Sequence, residues 1–147
     1  MLLVVATVGV GLVAGVLFAF SAFVMAGLDR APETQAAAAM RGINETAVTP
    51  AFMLAFLGAT LLCVALVVVS LLDGGGTRAK LAIAGAVVYV VGVFGTTIAA
   101  NVPLNDRLAA GGIGWAQYLG PWLAWNHVRT AAAIGALVLL LLALERA

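Results

Sequence analysis

The sequence predicts an all-α integral membrane protein: an antiparallel up-down four-helix bundle with a short amphipathic helix between helices 1 and 2. Two observations carry this. The 147 residues are 65% hydrophobic and only 9% charged, against roughly 45–50% and about 25% in soluble domains. The few charges are bunched, so that Met1–Leu28, Thr46–Leu72 and Leu81–Asn105 carry none. A soluble monomer of this size exposes much of its surface, and seven basic and six acidic residues cannot cover it. Residues 1–147 therefore read as a single transmembrane domain.

The first span, about 2–27, meets the roughly 20 apolar residues that a membrane helix needs. It lacks the basic leader and small-residue cleavage site of a secretory signal. After it, Pro32 suits a helix start. Ala36, Met40, Ile43 and Ala47 then recur on one helical face, giving the short amphipathic helix, which ends before Pro50. The second span covers about 51–72, and the Gly-rich stretch Asp73–Lys80 is a turn suited to an antiparallel pair. The third span covers about 81–101. Residues 102–121 read as a Gly-rich connection whose Trp115, Tyr118 and Trp122 are interfacial aromatics. The fourth span is set at about 122–144. The apolar run Ala131–Leu144 is too short to cross alone, so this helix must take in Asn126, His127 and Arg129.

Small residues mark the packing faces: Thr7, Gly11 and Gly15 on helix 1, and Gly85, Gly92, Gly95 and Ala99 on helix 3. Such faces let backbones approach closely in lipid. Packing inside one bundle is the expectation, with a homodimer through the same faces left open.

Alternating span directions sort the polar residues. Ser21, Asn44, Thr46, Thr49, Thr96, Thr97, Asn101, Asn105, Asn126, His127, Arg129 and Thr130 all fall toward one end. The other half of the spans holds Thr7, Ser70 and Tyr89 among aliphatics. Ionisable groups at membrane depth usually face a bundle interior or a wet cavity. Arg129 either does so or snorkels to the headgroups. His127 is the only histidine, and histidine is the side chain whose ordinary titration falls nearest neutral pH. At about 100° per residue, Trp122, Asn126 and Arg129 share a stripe, whereas His127 lies well off it.

Among the aromatics, Phe18, Phe20, Phe23, Phe52, Phe56, Trp122 and Trp125 cluster toward the same end, either as an interfacial belt or as a stacking pocket for a flat ligand. The single cysteine, Cys63, reads as a buried inert thiol and allows no intramolecular disulfide or cysteine-rich metal site. Zinc wants three or four protein ligands, so no metal site is expected. A haem held by one histidine stays open. A net charge of +1 gives no footprint for nucleic acid.

Several motifs together resemble one family. Phe20-Ser21-Ala22-Phe23-Val24-Met25, Met40-Arg41-Gly42-Ile43-Asn44, Thr49-Pro50-Ala51-Phe52-Met53, Asn101-Val102-Pro103-Leu104-Asn105 and Trp122-Leu123-Ala124-Trp125-Asn126-His127-Val128-Arg129-Thr130 look like the anthrone oxygenase-like membrane proteins, in the same order and over nearly the whole chain. The resemblance implies four membrane helices and, as in polyketide-pathway relatives, oxidation of an anthrone-like or hydroquinone-like aromatic by O2 to a quinone. No metal or flavin is implied, because the substrate anion itself is the reductant.

On that chemistry the catalytic candidates are His127 as base, Arg129 as oxyanion stabiliser and Asn126 as a donor. Substrate-binding candidates are Asn101, Asn105 and Asn44 as donors, Trp122, Trp125 and Phe20 as stacking groups, and Ser21. The expected partners are a flat aromatic or quinone and membrane lipid. The rival expectation is a non-enzymatic membrane module binding a quinone, a lipid or a partner protein. A chain rich in Ala, Gly, Val and Leu is placed in a bacterial plasma membrane. Both termini fall on one side, and the basic turn at Arg78 and Lys80 tilts that side to the cytoplasm.

Overall fold

The computed structural model describes residues 1–72 and 74–146. Asp73, the first residue of the expected turn, lies outside them. Among the described residues there are helices and turns and no strand. Four helices are long and apolar enough to cross a membrane: α1 (Leu2–Leu28), α3 (Pro50–Leu72), α4 (Thr77–Ala109) and α5 (Trp115–Glu145). A fifth, α2 (Glu33–Ala47), joins α1 to α3. The protein is thus an all-helical integral membrane protein.

Helix α2 starts after Pro32, whose backbone is extended, and turns Ala36, Ala37 and Met40 inward. It stops at Val48 because the residue before a proline is steered out of the helical region. Pro50 then opens α3 at the position where its missing N–H costs nothing. Between α3 and α4 the chain reverses through Gly74 and Gly75, at φ 77° and 88°, where a Cβ would be strained.

Around the bundle, α1 packs on α3 and α5, and α4 packs on the same two. Gly85 of α4 meets Ala136 and Leu140 of α5, and Gly92 meets Ala132, so positions rise along one helix as they fall along the other. A Cβ on Gly92 would stand 2.5 Å from that of Ala132, and one on Gly85 would stand 3.0 Å from the Ala136 carbonyl oxygen. Close approach of α4 and α5 therefore depends on these two glycines. Gly92→Ala should cost about 1–3 kcal/mol, the range for overpacking a tight contact, read as a lower thermal unfolding midpoint in detergent. An unchanged midpoint would mean that the helices shift apart freely.

The other small residues behave differently. Ala99 is exposed, and Gly95 meets only a carbonyl of its own helix. The cause is two π-helical turns, Val90–Gly95 and Thr97–Asn101. Each widens the helix locally, so a stripe drawn with an α-helical period drifts off the packed face. On α1 the buried stripe is Leu3, Ala6, Thr7, Val10, Val13, Ala14 and Leu17. There the tight glycine is Gly9, against Ala59, while Gly15 faces open space.

The third and fourth spans are longer than their expected limits of 101 and 122. Helix α4 runs on to Ala109 and α5 begins at Trp115, so the expected connection 102–121 shrinks to a turn at Gly111, φ 70°. Pro103 follows a π turn and sits in the first turn of the next α-helical segment, where its lack of an N–H is tolerated. Pro121 lies inside α5. A helix of 31 residues is roughly 45 Å long, against a hydrocarbon core of about 30 Å.

The excess length builds a second core. Met25, Ala36, Ala37, Met40, Leu108, Trp115, Tyr118 and Trp122 form their own buried cluster, distinct from the intramembrane one around Val10, Cys63, Tyr89 and Ala136. Trp115, Tyr118 and Trp122, expected at the interface, are therefore interior. The reason is visible in their partners. Helix α2 covers them, Trp115 Nε1 donates to Asp29 Oδ1 at 2.8 Å, and Tyr118 and Trp122 both donate to Asn105 Oδ1 at 2.8 Å.

Candidate functional site

A cavity of about 710 Å³ lies at the seam between the two cores, within the size range of small-molecule sites. Leu17 and Phe20 of α1, Met40 and Ile43 of α2, and Phe52 and Phe56 of α3 give it apolar walls. Thr97, Val102 and Asn105 of α4 and Trp122, Asn126 and Arg129 of α5 complete it. None of the described residues that line it is acidic. Phe20 packs against Trp122 with ring centroids 5.6 Å apart, and Phe52 stacks on Phe56 at 5.8 Å.

Arg129 turns inward and is 7% exposed. Of the two alternatives drawn from the sequence, snorkelling is thereby excluded. One guanidinium nitrogen donates to Asn126 Oδ1 at 2.7 Å and the other to Thr97 Oγ1 at 3.2 Å. Its Nε is buried without a partner among the described residues, and its carbon lies 5.2 Å from the Trp122 ring centre. Both hydrogen-bond partners are neutral. A guanidinium stays charged under all ordinary conditions, and burying a charge is costly unless it is matched. The site is a cation set in apolar walls, with donor capacity to spare.

The hydrogen bonds fix what surrounds it. Asn126 Nδ2 donates to the Leu17 carbonyl at 2.9 Å and to Ser21 Oγ at 2.8 Å. With its Oδ1 accepting from Arg129, no N–H of that amide is left for a ligand. Thr130 Oγ1 donates to the Asn126 carbonyl at 2.8 Å, so the 2.9 Å contact between Thr130 and Ser21 needs the Ser21 hydrogen. Ser21 Oγ then accepts from Asn126 and from His127 Nδ1, 3.0 Å away. A hydroxyl has one hydrogen and two acceptor sites. His127 Nδ1 thus carries a proton and donates it to Ser21 Oγ. His127 itself is exposed and is not part of the cavity lining.

A family model described as anthrone oxygenase matches residues 52–139. The chain belongs to the anthrone oxygenase family. No curated protein and no solved structure matches the chain. The matched stretch takes in Thr97, Asn101, Asn105, Trp122, Asn126, His127 and Arg129, while Phe20, Ser21 and Asn44 precede it.

Within this family member the residues singled out in the sequence divide into three groups. Arg129, Asn126, Asn105, Asn44, Trp122 and Phe20 line the cavity. Ser21 and Asn101 sit behind its wall. Ser21 ties α1 to α5, and Asn101, fully buried, donates to the Trp122 carbonyl at 3.2 Å. His127 and Trp125 stand outside, Trp125 being 46% exposed. The aromatic set divides in the same way, because Phe18 and Phe23 are also exposed. Two contributors were named in the sequence reading but not as site residues: Thr97, which holds Arg129, and Tyr118, which holds Asn105. Tyr118 had a signal, being one helical turn before Trp122 on the same face. Thr97 had none beyond its polarity, since its direction is set by the π turn that it opens.

Proposed function

We propose that this family member is a membrane-embedded oxygenase that oxidises an anthrone-like or hydroquinone-like aromatic with O2 to the quinone. The observation that supports it best is Arg129: a buried cation with neutral partners, facing a cavity walled by Phe20, Phe52, Phe56 and Trp122. The aromatic walls suit a flat ring system. The guanidinium suits the oxyanion that forms when such a substrate loses a proton, and a fixed charge in a water-poor site is well placed to stabilise it.

For an anthrone the chemistry balances: one ring methylene and one molecule of O2 give one carbonyl and one water, whereas a hydroquinone and one O2 would give the quinone and one H2O2. The substrate carbon gives up a proton, and its charge delocalises onto the oxygen beside Arg129. The anion passes one electron to O2, and the radical pair recombines to a peroxide. That peroxide takes up a proton and loses water to leave the carbonyl. No cavity-lining side chain is a base at neutral pH, so the first proton leaves to water at the mouth, helped by the field of the guanidinium. His127, assigned as the base from sequence, acts in this scheme only through Ser21 and Asn126.

The test is O2 uptake and quinone formation from an anthrone by the purified protein in detergent. His127→Ala should keep its turnover within about tenfold of the unaltered protein, because a general base contributes about 100-fold or more. A larger loss restores His127 as the base. The lack of a cavity base also favours a second reading, a quinone-binding module without turnover. Thermal stabilisation by a quinone with no O2 uptake from any anthrone would select it. The setting we propose is a bacterial plasma membrane with both termini in the cytoplasm, following Arg78 and Lys80. A terminal reporter active only in the opposite compartment would reverse that orientation.

A further inference from the structure

We infer that the cavity takes its ligand as an anion carrying oxygens on more than one edge, so that ionisation of the ligand, rather than its flatness, decides what is retained. This deepens the oxygenase reading and rests on that reading's choice of site. It follows from which donors and acceptors are left over. Two side chains lining the cavity keep donors that nothing in the described residues uses. Arg129 Nε is buried and unpartnered, and so is Asn44 Nδ2. These donors come from α5 and α2, so they address different edges of a flat molecule. Asn105 engages its Oδ1 with Tyr118 and Trp122.

The free acceptors lie elsewhere. Thr46 and Thr49 donate their hydrogens to the Gly42 and Thr46 carbonyls and keep only lone pairs, but both residues are exposed. Thr97 likewise gives its hydrogen to the Val93 carbonyl, and its oxygen already accepts from Arg129. The deep part of the cavity therefore offers unmatched donors and one full positive charge, and the rim offers acceptors.

Unsatisfied buried donors are destabilising, and the ligand that relieves them brings oxygens, at least one of them charged. A neutral quinone or hydrocarbon of the same shape would leave the guanidinium uncompensated. An ionised enol or phenol would neutralise it, while its remaining hydroxyls meet the rim threonines. With no carboxylate or histidine among the lining residues, the protein has no local means of making that anion. The site is accordingly selective for ligands acidic enough to ionise as they bind.

The experiment uses two probes of nearly the same shape on the full-length protein in detergent. One is 2-hydroxy-1,4-naphthoquinone, an acidic enol ionised at neutral pH. The other is its methyl ether, which cannot ionise. The hydroxyquinone should bind about 10- to 100-fold more tightly, the range for a charge-assisted hydrogen bond made in place of none. Arg129→Gln should erase the difference, and Arg129→Lys should restore part of it. Equal binding of the two probes to the unaltered protein overturns the inference, and this comparison needs no variant to fold. A difference that survives in folded Arg129→Gln overturns it as well. Oxidation of an anthrone alongside equal probe binding would sink the anion inference and leave the oxygenase reading intact. Strong discrimination without any oxidation would do the reverse.

Discussion

Arg129→Gln will lower anthrone oxidation by about 100- to 1,000-fold, the cost of removing one preorganised group from a developing oxyanion. Coulomb's law gives the same scale. Opposite unit charges about 4 Å apart at an effective dielectric near 20 attract by about 4 kcal/mol, close to a factor of 1,000 in rate. The group that replaces the guanidinium still reaches toward Asn126 and Thr97, but without charge. The loss should therefore appear in kcat/KM, since Arg129 meets the charge both as the substrate ionises on binding and in the steps that follow. Arg129→Lys keeps the charge without the planar fork and should recover part of the rate. Measured O2 consumption by the glutamine variant within about tenfold of the unaltered protein would remove the oxyanion role, because that is less than a single such donor normally contributes.

The membrane class was legible because charge is so scarce in the chain. Spans could be placed wherever charges were missing, and the need for the fourth span to reach back past Arg129 followed from the shortness of the run after it. The true start of α5 was also written in the sequence. Trp115, Tyr118, Trp122, Asn126, Arg129, Ala133, Ala136, Leu140 and Ala143 are all buried on that helix, and they recur at intervals of three and four. Gly120 and Pro121 interrupt the apolar character near the start of that stripe, and so its first two turns, residues 115–121, read as loop. A proline inside a helix is tolerated where neighbouring helices and side chains satisfy the freed backbone groups.

The site was legible as a region and less so as an arrangement. The wheel that separated His127 from Arg129 was right, since the imidazole is outside and the guanidinium inside. What one residue after another cannot show is saturation. Asn126 looks like a ligand donor until its Nδ2 is found engaged by Leu17 and Ser21. Asn44, a candidate donor in the sequence, keeps that capacity, because α2 folds down and buries its Nδ2 with no partner among the described residues. Nor does composition announce a π turn. Phe20 and Ser21 lie on the π turn Phe20–Val24, and Thr97 and Asn101 on another. These wide turns re-aim side chains, and they recur at functional sites for that reason.

Thr97→Asp offers the sharpest test of whether the charge on Arg129 is reserved for a ligand. Thr97 Oγ1 is already 3.2 Å from the guanidinium, and an aspartate there places a carboxylate on the same side of the cavity at little change in bulk. The pair would neutralise the cation in place while leaving Asn126, Ser21 and Thr130 connected as they are. The hydroxyl bond that is given up, to the Val93 carbonyl, lies within the turn of the same helix and holds no other element. Unfolding in detergent should therefore occur at a temperature no lower than for Thr97→Val, which removes the same hydroxyl without adding charge. Oxidation should fall by about 100-fold in the aspartate variant, comparable to losing an oxyanion donor, and change little in the valine variant. A built-in carboxylate competes with the substrate anion for the same guanidinium, and unlike the substrate it does not leave. If the aspartate variant oxidises an anthrone as fast as the valine variant, then the guanidinium is a structural strut between α4 and α5, and the oxyanion must be held by something other than Arg129.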